Sequence, residues 1–410
     1  MGESGAGVVH EVVGADLKPV PAAAVIAMGM ISLLIIGVAP DVLGALVDEH
    51  RLSPSGLGMT AMLELISLAV STGLAGAFLK PENLKLIGAG AALLLAAINV
   101  ATCNASGLSV FGIRAAAGVP EGLLLWITVG MIARSRTPER WAAVFFTARV
   151  VSELTTALAF AFVIMPRAGA DGAFATMGLI ALLGLPAALF LPNAFGALPR
   201  SGGPADDGVG GAGPSVIRSG APPLRGLIAL VATVVYVSAN GAVSVYLQPL
   251  AHRAGLSADV ARTAVWASLA AQILGGALAT AMAGRVRYLP VFAAVTAGFL
   301  AVWAIFGLHP SALVFISADA VAGAVALLVG PFLVPMIIEA DPSRRAAMQS
   351  AGAQALGGGA GPLMAALIVG DRDVHGVLWM GAALLLAGFA LIAWLHYTNR
   401  PATAAKATAS

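Results

Sequence analysis

Long apolar runs, separated by short polar gaps, follow one another along almost the whole chain. Each run is about 20 residues long, which is the length that an α-helix needs to cross a bilayer. Charged residues make up only 10% of the 410 residues, whereas a soluble protein carries about 25%. Only helices and closed barrels satisfy the backbone in lipid, and these runs are too long and too uniformly apolar for barrel strands. The sequence therefore predicts an all-α membrane protein.

The runs give a count of twelve predicted transmembrane helices in two sets of six. The predicted spans are 22–46, 57–79, 84–102, 107–132, 140–165, 172–192, 224–249, 259–283, 288–308, 311–338, 345–369 and 375–397. A stretch rich in Gly and Pro after the sixth span is typical of a flexible linker. The predicted organisation is a disordered N-terminus (1–21), a first six-helix bundle (22–192), a linker (193–223), a second six-helix bundle (224–398) and a disordered tail (399–410).

The basic residues lie mostly on one side of the predicted membrane. With twelve spans, the gaps on the side of the two termini hold 15 Lys and Arg residues, and the gaps on the other side hold five. The positive-inside rule places the richer side, with both termini, in the cytoplasm. We therefore expect a multi-pass protein of the inner membrane of a bacterium. The single cysteine, Cys103, excludes an intrachain disulfide.

Two loops of the first half recur in the second half at almost one offset. His50-Arg51-Leu52-Ser53 follows the first span, and His252-Arg253 follows the seventh, 202 positions later. Thr137-Pro138-Glu139-Arg140 precedes the fifth span, and Asp341-Pro342-Ser343-Arg344 precedes the eleventh, 204 positions later. Parallel repeats of six helices, with a substrate site between them near the midplane, are a transporter architecture.

Seven ionisable residues fall inside the predicted spans: Asp41, Glu64, Arg114, Glu121, Arg149, Glu153 and Asp319. Charge in hydrocarbon is costly, so such residues are expected to face a cavity or a partner. We expect them to turn inward to a wet cleft between the bundles. Counted along the helices at 1.5 Å per residue, Asp41, Glu64 and Arg114 fall in one outer cluster. Arg149 and Glu153, spaced i, i+4, are expected to pair, with Glu121 beside them near mid-membrane.

Five of these seven residues are acids, and two are arginines. Because burial favours the neutral form of a carboxylic acid, at least one acid is expected to be protonated at rest, as proton coupling requires. The alternative is that the Arg and Glu residues only brace the helices, and that the polar groups only bond between helices. Substrate-binding candidates are Arg114, Arg149, Tyr236, Asn240, Tyr246 and Gln272; proton-coupling candidates are Asp41, Glu64, Glu121, Glu153 and Asp319.

The six-plus-six repeat, the central linker and the topology resemble the major facilitator superfamily over about residues 22–398. The fourth span reads Arg114-Ala115-Ala116-Ala117-Gly118, which is similar to the Arg-x-x-x-Gly motif of that superfamily. The resemblance implies a role in proton coupling for Arg114. The fifth span has no glycine and so lacks the Gly-x-x-x-Gly-Pro motif that drug antiporters of the superfamily carry there. This departure argues against ordinary multidrug export.

These features predict a secondary active transporter that works by alternating access. The expected activity is proton-coupled uptake of a small carboxylate-bearing organic solute, by a monomer in a lipid bilayer. The alternative is proton-driven efflux of an amphipathic or cationic compound, which the excess of acids favours. A membrane receptor or assembly factor has no need for charges inside the spans. The sequence shows no nucleotide-binding loop, metal-ligand cluster or nucleophile–base set, so we expect no enzyme activity, cofactor, metal or nucleic-acid partner.

Overall fold

The computed structural model describes residues 18–195, 222–368 and 375–398, and these residues are almost entirely helical. One isolated bridge joins Glu82 to Ala194. The first helix begins at Pro19, three residues before the predicted start of the first span. Most of the predicted N-terminal segment (1–17), most of the linker (196–221) and the tail after Thr398 lie outside the described residues.

The described residues of the first half form seven α-helices. They are α1 (Pro19–Asp48), α2 (Pro54–Phe78), α3 (Leu84–Thr102), α4 (Leu108–Arg134), α5 (Pro138–Ala159), α6 (Met165–Leu182) and α7 (Gly184–Phe190). A π-helical turn, Phe160–Ile164, joins α5 to α6, and a kink at Gly169 (φ 57°) lies within α6. Proline opens the first turn of α1, α2 and α5, where its missing N–H has no helical acceptor to lose.

The second half repeats this order with eight helices. They are α8 (Leu224–Val245), α9 (Leu247–Arg253), α10 (Ala258–Met282), α11 (Tyr288–Gly307), α12 (Ala312–Ala340), α13 (Arg345–Met348), α14 (Ser350–Ile368) and α15 (Gly376–Thr398).

The long helices account for the twelve crossings that the sequence predicts. Ten stretches of the described residues are long and apolar enough to cross a membrane. One of these, Pro138–Phe190, has 53 residues and is long enough for two crossings. The α14 helix, with 19 residues, is the twelfth. The architecture is therefore an all-α bundle of twelve spans, as predicted.

Most helix pairings lie within one half of the chain. The most extensive are α2 with α4 in the first half, and α10 with α12 and α8 with α14 in the second. The halves meet mainly through three pairings: α2 with α14, α5 with α10, and α5 with α12. In the six-helix repeat, α2 corresponds to α10, and α5 corresponds to α14. The pairing of α2 with α14 is therefore equivalent to that of α10 with α5.

Side-chain contacts join the two halves at both ends of the bundle. We call the end at which α1 begins and α15 ends the terminal face. Near it, the guanidinium of Arg344 donates hydrogen bonds to the carbonyls of Ala133 (2.6 Å) and Ser135 (3.2 Å), across the two halves. At the opposite face the rings of Phe162 and Trp266 lie 6.3 Å apart and join α10 to the π-helical turn.

Candidate functional site

The most completely buried polar cluster lies between α2, α3 and α4. Arg114 forms a bidentate ion pair with Glu64, in which its Nε lies 3.0 Å from Oε2 and its Nη2 contacts Oε1. Its Nη1 donates to Oδ1 of Asn99 at 2.8 Å and lies 3.5 Å from the hydroxyl of Thr102. A second carboxylate, Glu121, lies 3.8 Å from Nη2 of Arg114. The cluster therefore places two acids around one guanidinium, and we call it the buried triad after Arg114, Glu64 and Glu121.

The buried triad is sealed inside the first half. Arg114, Glu64 and Glu121 are each 1% exposed or less, and the ring of Phe174 lies 5.3 Å from the Arg114 guanidinium. This placement corrects the expectation that Arg114 and Glu121 face a wet cleft between the bundles. The sequence gives their depth along the helices, but it does not give the side of α4 on which neighbouring helices pack.

The grouping of the acids also differs from the expected one. Glu121 lies with Arg114 and Glu64, because Arg114 and Glu121 are seven residues apart and so occupy one face of α4. It does not join the Arg149–Glu153 pair. Asp41 has no ion pair or side-chain hydrogen bond within the described residues, so the predicted outer cluster of Asp41, Glu64 and Arg114 does not form.

Gly118 lets α2 approach α4 closely enough to form the buried triad. A Cβ atom at Gly118 would overlap the backbone carbonyl of Glu64 and lie 2.6 Å from the amide nitrogen of Leu68. Backbone atoms cannot move aside without displacing the helix. At Gly112, six residues earlier in α4, an added Cβ atom would have no atom within 4 Å.

We expect Gly118→Ala to destabilise the protein by about 1–3 kcal/mol, because the added methyl forces α2 and α4 apart. Gly112→Ala is the matched control, and we expect it to be neutral or to stabilise by up to about 1 kcal/mol through helix propensity. Thermal unfolding of both variants in detergent measures the difference. Equal melting temperatures would show that the helix pair tolerates separation.

The second charged site is the Arg149–Glu153 pair on α5, which forms as predicted. Nε of Arg149 lies 2.6 Å from Oε1 of Glu153. The Glu153 side chain is 2% exposed and packs against Gly37 of α1, where a Cβ atom would overlap it. The Arg149 side chain is 18% exposed. The glutamate therefore anchors the arginine from inside the first half, while part of the guanidinium stays accessible.

The pair lies at the boundary between the two halves. Phe146, one turn before Arg149, packs against Gly330 of α12, and Thr147 packs against Gly276 of α10. Arg149 lies between Phe145 and Glu153, which pack against α1, and its guanidinium reaches this boundary at 5.9 Å from the ring of Phe146.

The second half brings Gln272 and Asp319 to the same boundary. On α12, Gly323 packs against the backbone of Ser268 on α10. Asp319, one turn away from Gly323, is 9% exposed and lies beside the side chain of Ser268. Gln272 lies between Ser268 and Gly276 on one face of α10 and is partly exposed.

The other substrate candidates lie elsewhere or make no polar contact. Tyr236 is 1% exposed, and its hydroxyl lies 3.0 Å from that of Thr296, with its ring edge-on to Phe292. It therefore faces α11 inside the second half. Asn240 and Tyr246 are partly exposed, and neither makes a side-chain hydrogen bond within the described residues.

The connection between α12 and α13 closes the terminal face. Arg344 adopts a left-handed backbone conformation (φ 59°) that directs it to the last carbonyls of α4, at the negative end of the helix dipole. Burial lowers the pKa of the Arg344 guanidinium, and Glu139 partly offsets this effect. Asp341 supports the turn by accepting hydrogen bonds from the amides of Ser343 (3.0 Å) and Ala346 (2.8 Å).

Sequence reasoning missed polar residues of these sites. Thr102 lies in the polar shell of Arg114, and Ser268 lies beside Asp319. A signal exists for Ser268, since it is spaced i, i+4 from Gln272 on α10. Among the described residues, no group of three or more metal-ligating side chains is found.

Comparison with solved structures reveals the same arrangement of helices. The human organic anion transporter MFSD10 (TETRAN) aligns with a TM-score of 0.68 at 14% identity, over 92% of this chain and 100% of its own. FucP, a Major Facilitator Superfamily transporter in the outward conformation, gives 0.68 at 14% identity, over 92% and 99%. The chain has the major facilitator superfamily fold. The proton:xylose symporter XylE has it too, with a TM-score of 0.63 at 14% identity, over 91% and 94%.

The likeness is one of fold. No family model matches the sequence, and no curated protein sequence matches it. In the major facilitator fold of this chain, the Arg149–Glu153 pair lies where α5 meets the second half, whereas the buried triad lies within the first half.

Proposed function

We propose that the protein is a secondary active transporter that works by alternating access. It imports a small, carboxylate-bearing organic solute together with protons. Solved structures with the same fold include proteins named as an organic anion transporter and a proton:xylose symporter. The packing supports rocking of one half against the other, because two of the three main pairings between the halves are equivalent and most helix pairings lie within each half.

One observation carries the proposal: Arg149 is an ion-paired, partly exposed guanidinium inside a span, beside the Phe146 ring that packs on α12 of the other half. A guanidinium binds a carboxylate through two parallel hydrogen bonds. Glu153 occupies that position in this conformation. The solute carboxylate and Glu153 therefore compete for Arg149.

This competition supplies a route to proton coupling. When Glu153 binds a proton it loses its charge, and Arg149 becomes free to bind the solute. Loss of that proton on the other side of the membrane re-forms the Arg149–Glu153 pair and expels the solute. Asp41, Glu64, Glu121 and Asp319 remain the other proton-site candidates; of these, Glu64 and Glu121 need a conformational change before they meet water.

The orientation and environment are part of the proposal. We place both termini in the cytoplasm and the protein in the inner membrane of a bacterium as a monomer, because the loops on the terminal face carry most of the Lys and Arg residues. The closed terminal face then corresponds to an outward-facing state.

Uptake into proteoliposomes with an alkaline interior tests the coupling. We expect the imposed pH gradient to accelerate uptake of a radiolabelled carboxylate by the unmodified protein, as screened with lactate, succinate and 4-aminobutyrate. Glu153→Gln should abolish the response to the gradient, because the amide cannot release a proton. Glu82→Gln, at an exposed loop position, is the matched control and should retain the response.

Transport that ignores the gradient in the unmodified protein would contradict proton coupling. If Glu153→Gln keeps the response while Glu64→Gln or Glu121→Gln loses it, the coupling site is the buried triad instead.

The second candidate function is proton-driven efflux of a cationic or amphipathic compound. It is favoured by Asp319, a buried acid that has no basic partner among the described residues. Reversing the gradient separates the two functions: an exporter accumulates a labelled cation in vesicles with an acidic interior, and an importer does not.

A further inference from the structure

Asp319 lies on the side of α12 that faces the other half. Asp319, Gly323, Leu327 and Gly330 follow one another at spacings of four, four and three residues, so they form a single stripe. Along this stripe Gly323 packs on Ser268 of α10, Leu327 lies next to Gly276, and Gly330 packs on Phe146 of α5. The stripe is therefore the surface of α12 that contacts α10 and α5, and Asp319 is its polar end.

Arg149 lies one turn after Phe146 on α5, and its guanidinium lies 5.9 Å from the Phe146 ring. Phe146 and Gly330 fix the level at which the two helices meet. Arg149 lies three residues beyond Phe146 toward the opposite face. Asp319 lies eleven residues beyond Gly330 in the same direction. The two backbones therefore differ in height by about 12 Å at 1.5 Å per residue. The Arg149 side chain extends toward Glu153, which closes part of this gap.

The two ends of this interval carry opposite charges from opposite halves. Arg149 is the cationic end, and Asp319 is the anionic end. Gln272, on the adjoining face of α10, lies between their levels and can both donate and accept hydrogen bonds. The Asp319 carboxylate has Ser268 as a polar neighbour, and no Lys, Arg or His pairs with it in the described chain. A buried carboxylate without a counter-charge is costly, so a ligand cation would lower its free energy.

Resting on the proposed function, we propose that the transported solute is a small zwitterion. Its carboxylate binds Arg149 of the first half, and its ammonium group binds Asp319 of the second half. A ligand held at both ends joins the halves, whereas a simple carboxylate engages only one of them. The substrate class is therefore an amino acid, of the α type or with a short chain between the two charged groups.

Ligand-induced thermal shifts of the purified, full-length protein test this assignment. The probes are 4-aminobutyrate, butyrate and butylamine, which share one chain length and differ only in their charged ends. Glycine, β-alanine and 6-aminohexanoate vary the separation between the charges. We expect at least one of the amino acids to bind about ten-fold or more tightly than butyrate, because a second charge-assisted hydrogen bond is formed.

Two variants assign the ends of the ligand. Asp319→Asn should remove the preference for the amino acid over butyrate. Arg149→Gln should weaken both acids. The preference of the unmodified protein for an amino acid over butyrate is measured without any variant. It therefore tests the zwitterion assignment even if Asp319→Asn does not fold.

The outcomes separate this inference from the proposed function. If butyrate binds as tightly as every amino acid of the series, or if Asp319→Asn keeps the preference, the zwitterion assignment is wrong and carboxylate transport stands. If no carboxylate stabilises the unmodified protein, both proposals fail. If butylamine alone binds, the protein recognises cations. Carboxylate uptake and the zwitterion assignment are then both wrong, and the efflux function is supported.

Discussion

Arg149→Gln is expected to reduce solute uptake about 100-fold, which is the largest functional effect that we predict. The substitution keeps a polar side chain and removes the charge. Loss of one partner of a buried, hydrogen-bonded charge pair costs about 2–5 kcal/mol, and each 1.4 kcal/mol is about a ten-fold change in binding. Initial uptake rates in proteoliposomes measure the effect. Arg167→Gln, an exposed position of α6, is the matched control and should stay within about two-fold.

A double substitution separates binding from bracing. Arg149→Gln alone leaves the Glu153 side chain buried without its cation, so some activity could be lost through instability. Arg149→Gln combined with Glu153→Gln removes both charges and restores the balance. If Arg149 binds the solute, the double variant regains stability and remains inactive. Recovery of transport in the double variant would show that the pair only holds α5 in place.

Arg114→Met is expected to destabilise the protein by about 3–5 kcal/mol, which is the largest stability effect that we predict. The guanidinium is 0% exposed, and its removal leaves the carboxylates of Glu64 and Glu121 in the interior without a cation. Breaking a buried ion pair by removing one partner costs about this much. The side-chain oxygen of Asn99 also loses the hydrogen bond that the guanidinium donates to it at 2.8 Å. Thermal or denaturant unfolding in detergent measures the loss.

Glu121→Gln is the control for this prediction and should change stability much less. The Arg114–Glu64 pair stays intact in that variant, and one guanidinium balances the charge of only one acid. Glu121 lies beside the same guanidinium, at 3.8 Å from its Nη2, so a single proton held by either acid would keep the triad neutral. If Glu121→Gln is as damaging as Arg114→Met, both acids are ionised and that proton is absent.

The seven ionisable residues inside the spans do not share one location. All seven were expected to face one cleft, but they divide by location. The buried triad is enclosed by the first half, and the Arg149–Glu153 pair meets the second half. Asp319 lies across that boundary on α12. A transport mechanism therefore has two polar regions to connect, and the Glu153 carboxylate on α5 is the acid in direct contact with the accessible cation.

The sequence by itself determined the number, type and approximate bounds of the spans, and the repeat of six. Lipid imposes helices of a fixed length, so hydropathy alone locates them. It also determined local pairs such as Arg149 with Glu153, because the spacing i, i+4 fixes that contact within one helix.

Only the tertiary structure decided which helices surround each charge. Arg114 meets Glu64 across 50 positions of the chain, and it does so because α2 and α4 cross closely at Gly118. Depth along a span follows from residue counting, but the direction of a side chain around the helix axis has meaning only relative to a neighbour. In lipid, apolar residues cover both the outer and the inner surfaces of a helix. The pattern that separates core from surface in water is therefore absent, and packing assigned Glu121 to Arg114 and Tyr236 to the interior of the second half.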